Sequence, residues 1–258
     1  KKVVCRLCPL MSEIIVDKLC IKFGVYHDRS PSLKGSVANL FRGNRQSAYS
    51  DFWAVKDVSL EFNSGDRVGI VGHNGAGKST LLKALCRVYE SSDGRVTVDG
   101  RLAPLLEIGA GFHPEFTGRE NIYLNGAILG YTDLQLRAIE PEVIAFAELE
   151  EFIDTPVKYY STGMYMRLAF SLATAVHPDI LVLDEIFAGG DAAFMARATT
   201  RMFEMIDRAN IMIMVSHDHH LVKSLCNRVV WMDHGRVVLD GAPDVVIDQY
   251  LGLNTHAG

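Results

Sequence analysis

Val68-Gly69-Ile70-Val71 runs directly into Gly72-His73-Asn74-Gly75-Ala76-Gly77-Lys78-Ser79-Thr80, and Leu81-Leu82-Lys83-Ala84-Leu85 follows in a helical pattern. An apolar strand, a GxxxxGK[ST] loop and a helix in that order constrain this chain more than any other feature, because the loop works only where strand and helix meet at that turn. The glycines let backbone N–H groups close around phosphate oxygens that side chains would hold away. The helix adds the positive end of its dipole. In such a loop Lys78 supplies a point charge to the β- and γ-phosphates, and the Ser79 hydroxyl is placed to ligate Mg²⁺. The segment therefore specifies binding of a nucleoside triphosphate on an α/β fold.

A chain of 258 residues buries a full core and reads as one α/β domain with a smaller appended subdomain. The net charge of −5 gives no general footprint for a polyanion, so nucleic acid is not expected as a partner. No uninterrupted apolar stretch reaches the length needed to span a bilayer, so any membrane role requires a separate partner. Five cysteines include one lone CxxC, Cys5 and Cys8, without a second ligand pair; they read as unpaired thiols in a reducing cytosol. Residues 1–10 read as an extension upstream of a natural start at Met11-Ser12-Glu13.

Residues 13–23 and 55–62 alternate apolar and polar, as half-buried strands do. Arg95-Val96-Thr97-Val98 and Leu102-Ala103 flank Asp99-Gly100, which predicts a hairpin. Residues 118–155 read as helical, in two segments punctuated by Pro141. Ile180-Leu181-Val182-Leu183 and Ile211-Met212-Ile213-Met214-Val215 are continuous apolar runs that suit parallel strands covered on both faces. Val229–Met232 and Arg236–Leu239 flank Asp233-His234-Gly235, a second predicted hairpin, and residues 244–251 read as a closing helix.

Two further clusters stand at the ends of those apolar runs. Asp184 and Glu185 end the first: in a phosphate-loop protein the first carboxylate helps hold Mg²⁺, and the second can polarise a water for in-line attack on the γ-phosphate. Ser216-His217-Asp218 follows the second, where ligands bind in parallel sheets, and a neutral His217 imidazole can hydrogen-bond a γ-phosphate. Tyr160-Ser161-Thr162-Gly163-Met164 precedes a helix; alone, it reads as a serine N-cap.

The order of phosphate loop, serine-glycine turn, acidic strand and histidine resembles the ATP-binding cassette family over nearly the whole chain from Met11. The resemblance implies a single nucleotide-binding domain over 11–258. It would combine a phosphate-loop NTPase core of the RecA type, an antiparallel β subdomain and a helical subdomain over 112–165. It implies that Ser161, Thr162, Gly163 and Met164 occupy the signature positions, with threonine and methionine standing in for a glycine and a glutamine, and that they face an ATP bound by a second copy. It makes Glu185 the catalytic base and His217 the switch histidine, and Asp191, in Gly189-Gly190-Asp191, the acid of the loop that touches the opposite subunit. An upstream aromatic stacks on adenine in the family. Tyr49 lies at the usual spacing, Phe52 and Trp53 compete with it, and a packing role for any one stays open. The glutamine of the family's glutamine loop is missing from Leu105–Pro114, where Glu107 is the nearest polar candidate for the Mg²⁺ or water contact.

Phe112-His113-Pro114-Glu115-Phe116-Thr117-Gly118-Arg119-Glu120-Asn121 and the Tyr160–Met164 run resemble the branch that exports lipid-linked polysaccharides: O antigens, capsular polymers and teichoic acids. That resemblance implies ATP and Mg²⁺ as cofactors, a homodimer, and a polytopic permease at the cytoplasmic face of a bacterial inner membrane. Some members of that branch carry a C-terminal carbohydrate-binding domain, for which a chain stopping soon after Leu251 is expected to have no room. Residues 27–50 carry His27, Arg29, Lys34, Arg42 and Arg45 against Asp28, with Leu33, Val37, Leu40 and Phe41 on one helical face. They read as an amphipathic insertion at the membrane surface or, alternatively, as a surface helix on its own sheet. The rival functions are a transporter ATPase for another substrate, a soluble cassette protein acting on DNA or ribosomes, and a regulatory module without turnover.

Overall fold

The computed structural model describes residues 12–26, 49–106, 108–175, 178–184 and 192–254. Two sheets lie at the centre. The first is antiparallel, in the order β2-β1-β4, from β1 (Glu13–Tyr26), β2 (Tyr49–Asn63) and β4 (Asp93–Asp99). The second has the order β5-β6-β7-β3-β8-β9, from β3 (Arg67–Val71), β5 (Leu102–Leu105), β6 (Ile180–Asp184), β7 (Ile211–Val215), β8 (Arg228–Asp233) and β9 (Arg236–Gly241). All of its neighbours are parallel except β8 and β9, which form the expected hairpin.

The two continuous apolar runs serve two cores at once. Side chains alternate faces along a strand. Ile180, Val182, Ile211, Ile213 and Val215 join the core that holds Ile14, Phe62 and helix α1 (Lys78–Leu85) between the two sheets. Leu181, Leu183, Met212 and Met214 face the other way, onto Phe170 and Phe194. Phe170 lies on helix α4 (Thr162–Thr174) and Phe194 on α5 (Ala192–Arg208), which cover that face. Burial on both faces is why these strands carry no polar alternation. A third core, with Ile122, Val143, Leu149 and Leu168, joins α2 (Gly118–Ile128) and α3 (Asp133–Ala147) to α4. Helix α6 (His219–Leu225) precedes β8, and the described residues end with α7 (Pro243–Asn254).

Two expectations fail here for identifiable reasons. Asp99-Gly100 does not turn a hairpin. The strand before it pairs with β1 in one sheet, and the strand after it pairs in parallel with β6 in the other. Gly100, at φ 122°, redirects the chain, and Arg101 N donates to Asp179 Oδ2 (2.9 Å), docking the new strand beside β6. Pro141 does not separate two helices either, because it lies inside α3. The break falls earlier, at Gly130 (φ 86°), and Thr132 starts the next helix with a capping box to Gln135. Buried Leu136, Val143 and Ala147 on both sides of the proline offset the lost hydrogen bond.

The Phe112–Asn121 motif is organised by one buried amide. Asn121 Nδ2 donates to the carbonyls of His113 (3.1 Å), Phe116 (3.1 Å) and Thr117 (2.9 Å), and its Oδ1 accepts from His113 N (2.6 Å). Thr117 and Glu120 close a capping box on α2. Arg119 ties that helix to Asp154 (2.7 Å) and to Glu140. The amide thus satisfies backbone groups that the irregular loop leaves without sheet or helix partners.

Candidate functional site

The phosphate loop leaves β3 and enters α1 at Lys78, with Gly77 as the N-cap at φ 100°. Glycine is required at two points by close approach. A Cβ on Gly72 would lie 2.3 Å from Met232 O, and one on Gly77 would lie 2.3 Å from Ala54 O. Gly77→Ala is therefore expected to destabilise the protein by roughly 2 kcal/mol or more and to weaken nucleotide binding. A melt and a nucleotide titration check this, and an unchanged melt would contradict the packing argument.

Lys78 is 7% exposed, and its ammonium donates to Gly72 O (2.7 Å) and His73 O (3.0 Å). These bonds hold the charge against the loop before any ligand arrives. A cleft of about 500 Å³ opens over it, lined among others by Asn74, Gly75, Ser79, Thr80, Asp184 and His217. Strand register explains the convergence: Ile70 of β3 and Asp184 of β6 both pair with Val215 of β7. The loop, Asp184 and His217 thus leave the sheet at one edge, as in open parallel sheets generally. Asp218 N donates to Ser216 Oγ (3.1 Å), and its carboxylate caps α6, so the turn that carries His217 is braced on both sides.

Phe52 is 54% exposed and lines the cleft together with Phe23, its register partner on β1. Trp53, the next residue, lies under Lys22 instead, with Nζ 5.7 Å from the ring centroid. Tyr49 enters β2, and its side chain lies outside the described residues. So do Glu107, Glu185, Asp191 and most of the 27–50 insertion. Phe23, Ala54 and Val215 line the cleft without any motif; only the strand register could reveal them. Gly72, His73 and Ala76 frame the loop rather than the cleft. Ala76 is fully buried, and the His73 ring turns away to Asp233 (2.6 Å). Hydrogen bonds from His234 and from His73 hold the Asp233 carboxyl below its ordinary range. Burial pushes the Cys86 and Cys226 thiols up to about 12, which keeps both protonated and inert.

The Ser161 turn is an N-cap, as its sequence implies: Ser161 Oγ accepts from Met164 N (3.2 Å) at the start of α4. Ser161 and Thr162 are exposed, Gly163 and Met164 half-buried, and none of the four lines the phosphate cleft. One turn along, Tyr165 donates its hydroxyl to Gly109 O (2.7 Å), fastening α4 to the loop that follows β5.

The donor set suits Mg²⁺. Ser79 and Asp184 put a hydroxyl and a carboxylate, both hard oxygen ligands, into one cleft beside the phosphate-binding backbone. Strand, phosphate loop, acidic strand end and histidine together define a phosphate-loop nucleotide-binding domain. The ABC transporter family profile matches residues 55–188. The chain belongs to the ABC transporter family.

The chain is 44% identical over 220 residues to the O-antigen export system ATP-binding protein RfbB of Myxococcus xanthus, covering 85% of this chain and 50% of that protein. To the corresponding RfbE of Yersinia enterocolitica it is 39% identical over 231 residues, covering 88% and 97%. To the teichoic acids export ATP-binding protein TagH of Lactococcus lactis it is 37% identical over 219 residues, covering 85% and 47%. The chain thus spans about half of the Myxococcus and Lactococcus relatives and nearly all of the Yersinia one. Among solved structures, an ATP-binding subunit of an ABC transporter shares the fold at TM-score 0.66 and 21% identity, covering 92% of both chains. A dimeric post-hydrolysis ATP-binding cassette bound to ADP and Pi does so at TM-score 0.64 and 17% identity, covering 89% of this chain and 98% of that one.

Proposed function

We propose that this protein is the ATP-hydrolysing subunit of an exporter of lipid-linked polysaccharide, of the O-antigen, capsule or teichoic acid type, working as a homodimer on a membrane permease. The observation that carries the dimer is the separation of two phosphate-binding features. Lys78, Ser79, Asp184 and His217 share one cleft, while the serine-capped start of α4 lies outside it and exposed. A helix N-terminus with a free approach suits an anion, and a second copy brings one with it. The substrate class rests on the relatives named for O-antigen and teichoic acid export.

In this reading Lys78 and the loop N–H groups bind and orient the β- and γ-phosphates. Ser79 and Asp184 hold Mg²⁺, which neutralises phosphate charge. Phe52 stacks on adenine. His217 hydrogen-bonds the γ-phosphate, and Glu185 takes a proton from the attacking water. Ser161 and Gly163 of the second copy complete the cleft, and Asp191 lies at the same subunit contact.

An apolar groove of about 320 Å³ between the core and the helical subdomain supports a docked partner. It is lined in part by Leu106, Ile108 and Phe112 and edged by exposed Val88 and Ile128. The Tyr165–Gly109 bond ties its wall to the signature helix, so motion at the dimer contact reaches the groove. Among the described residues no helix is long and apolar enough to cross a membrane, so the permease would supply the spanning segments.

A cysteine pair tests the dimer. With Tyr159→Cys, exposed beside the Ser161 turn, and Asn74→Cys, exposed on the phosphate loop, on separate copies and a non-hydrolysable ATP analogue present, a short crosslinker is expected to join the two chains. No crosslink under those conditions would refute the shared site. Co-purification with a polytopic subunit tests the transport assignment.

A further inference from the structure

Two neighbouring parallel strands lead to a common point at the phosphate loop. Val71 of β3 pairs with Trp231 of β8. His73 and Asp233 each lie two residues farther on, and they meet with His73 Nε2 2.6 Å from Asp233 Oδ1. His234 brings its Nδ1 to 2.9 Å from the same oxygen, and the two imidazoles stand edge to face at 5.1 Å. One ligand atom from each of the three side chains lies within 4.8 Å of the other two.

We propose that His73, Asp233 and His234 form a binding site for a zinc-class divalent transition-metal ion, outside the nucleotide cleft and on the back of the phosphate loop. Two imidazoles and one carboxylate are a ligand set that suits Zn²⁺, with water in the fourth position. Ligands at about 2.0–2.2 Å from a tetrahedral ion lie roughly 3.3 Å apart, so these side chains need shift by only about an ångström. The outer shell is already present. His73 Nδ1 lies 2.6 Å from Asn74 O, so the Nδ1–H donates to that carbonyl and Nε2 is the nitrogen presented to the site. Metal binding takes the place of the His73 Nε2–Asp233 and His234 Nδ1–Asp233 hydrogen bonds, and any proton on those nitrogens leaves to solvent. His73 and His234 side chains are 45% and 83% exposed, which gives an ion a path in.

The backbone fixes the spacing of the trio. Gly235 N donates to Ala76 O (2.9 Å), Lys56 N donates to Gly235 O (2.8 Å), and Gly72 packs on Met232 O too closely for a Cβ. The β8–β9 turn and the phosphate loop are thereby one rigid unit, and a site built across rigid elements is preorganised. An ordinary surface cluster of hydrogen-bonded histidines lacks both the frame and the oriented second nitrogen. This inference does not depend on the polysaccharide reading.

The test uses the full chain, free of nucleotide and in excess Mg²⁺, titrated with Co²⁺ as a spectroscopic probe and then with Zn²⁺ as competitor. The expected result is one cobalt per chain with the visible bands of a four- or five-coordinate ion, displaced by zinc. His234→Asn should weaken that binding at least about tenfold while leaving melting and nucleotide affinity at wild-type values, because asparagine accommodates the φ of 45° at this position. Asp233→Asn provides an independent second loss. Three results would each overturn the site: no cobalt bands, affinity unchanged in both variants, or a thiolate charge-transfer band insensitive to His234→Asn.

Discussion

Glu185→Gln is expected to leave ATP binding intact, to cut turnover by about 10²–10⁴-fold and to trap a nucleotide-bound dimer. Glutamine keeps the size and polarity of the side chain but cannot accept the water's proton. The chain places this residue one peptide beyond Asp184, which lines the phosphate cleft, so covalent geometry alone keeps its Cα within about 3.8 Å of that residue's Cα. In the proposed shared site the γ-phosphate would then stay between two copies, and a closed dimer would accumulate. Phosphate release and size exclusion in ATP and Mg²⁺ measure the two effects separately. Wild-type turnover in this variant would remove Glu185 from the role of base.

Lys78→Ala is expected to lose nucleotide binding by on the order of 10²–10⁴-fold, since charge-assisted bonds to phosphate contribute about 1.5–3 kcal/mol each and in the proposed site the ammonium would serve two phosphates. A second effect precedes the ligand. The residue is almost fully buried and its ammonium satisfies Gly72 O and His73 O, so its removal strips a donor from two loop carbonyls. The nucleotide-free protein should therefore lose about 1–3 kcal/mol of stability. Lys78→Arg should not restore binding, because a planar guanidinium does not reproduce a compact point charge in so tight a loop. Titration with a fluorescent nucleotide and a denaturant melt separate the two losses. A variant that binds ATP at wild-type affinity would refute the assignment of the loop.

Legibility followed contiguity. The phosphate loop, the Ser161 cap and the Asp233–Gly235 hairpin were readable because each is a short run whose backbone geometry its own residues impose. The Asp99-Gly100 turn misled because the same dipeptide serves a hairpin and a crossover. What separates the two is where the following strand finds a partner, here β6, some 75 residues away in the sequence. Pro141 misled because a lost hydrogen bond is local, while the burial of Leu136 and Val143 that outweighs it is not. In the sequence Tyr49 stands at the family's usual spacing for the adenine aromatic, with Phe52 and Trp53 in competition. Strand alternation turned Phe52 into the cleft and Trp53 onto Lys22.

The sequence by itself determined a strand, glycine-rich loop and helix of the phosphate-binding pattern at Gly72–Thr80, with acids and a histidine after apolar runs, since motif and apolar run are properties of neighbouring residues. Only the tertiary structure decided that Asp184 and His217 reach the lysine loop, that Ser161 does not, and that His73 meets Asp233 and His234. Those meetings depend on which strands lie side by side and in what register, and hydrogen-bonded pairing between distant segments sets both.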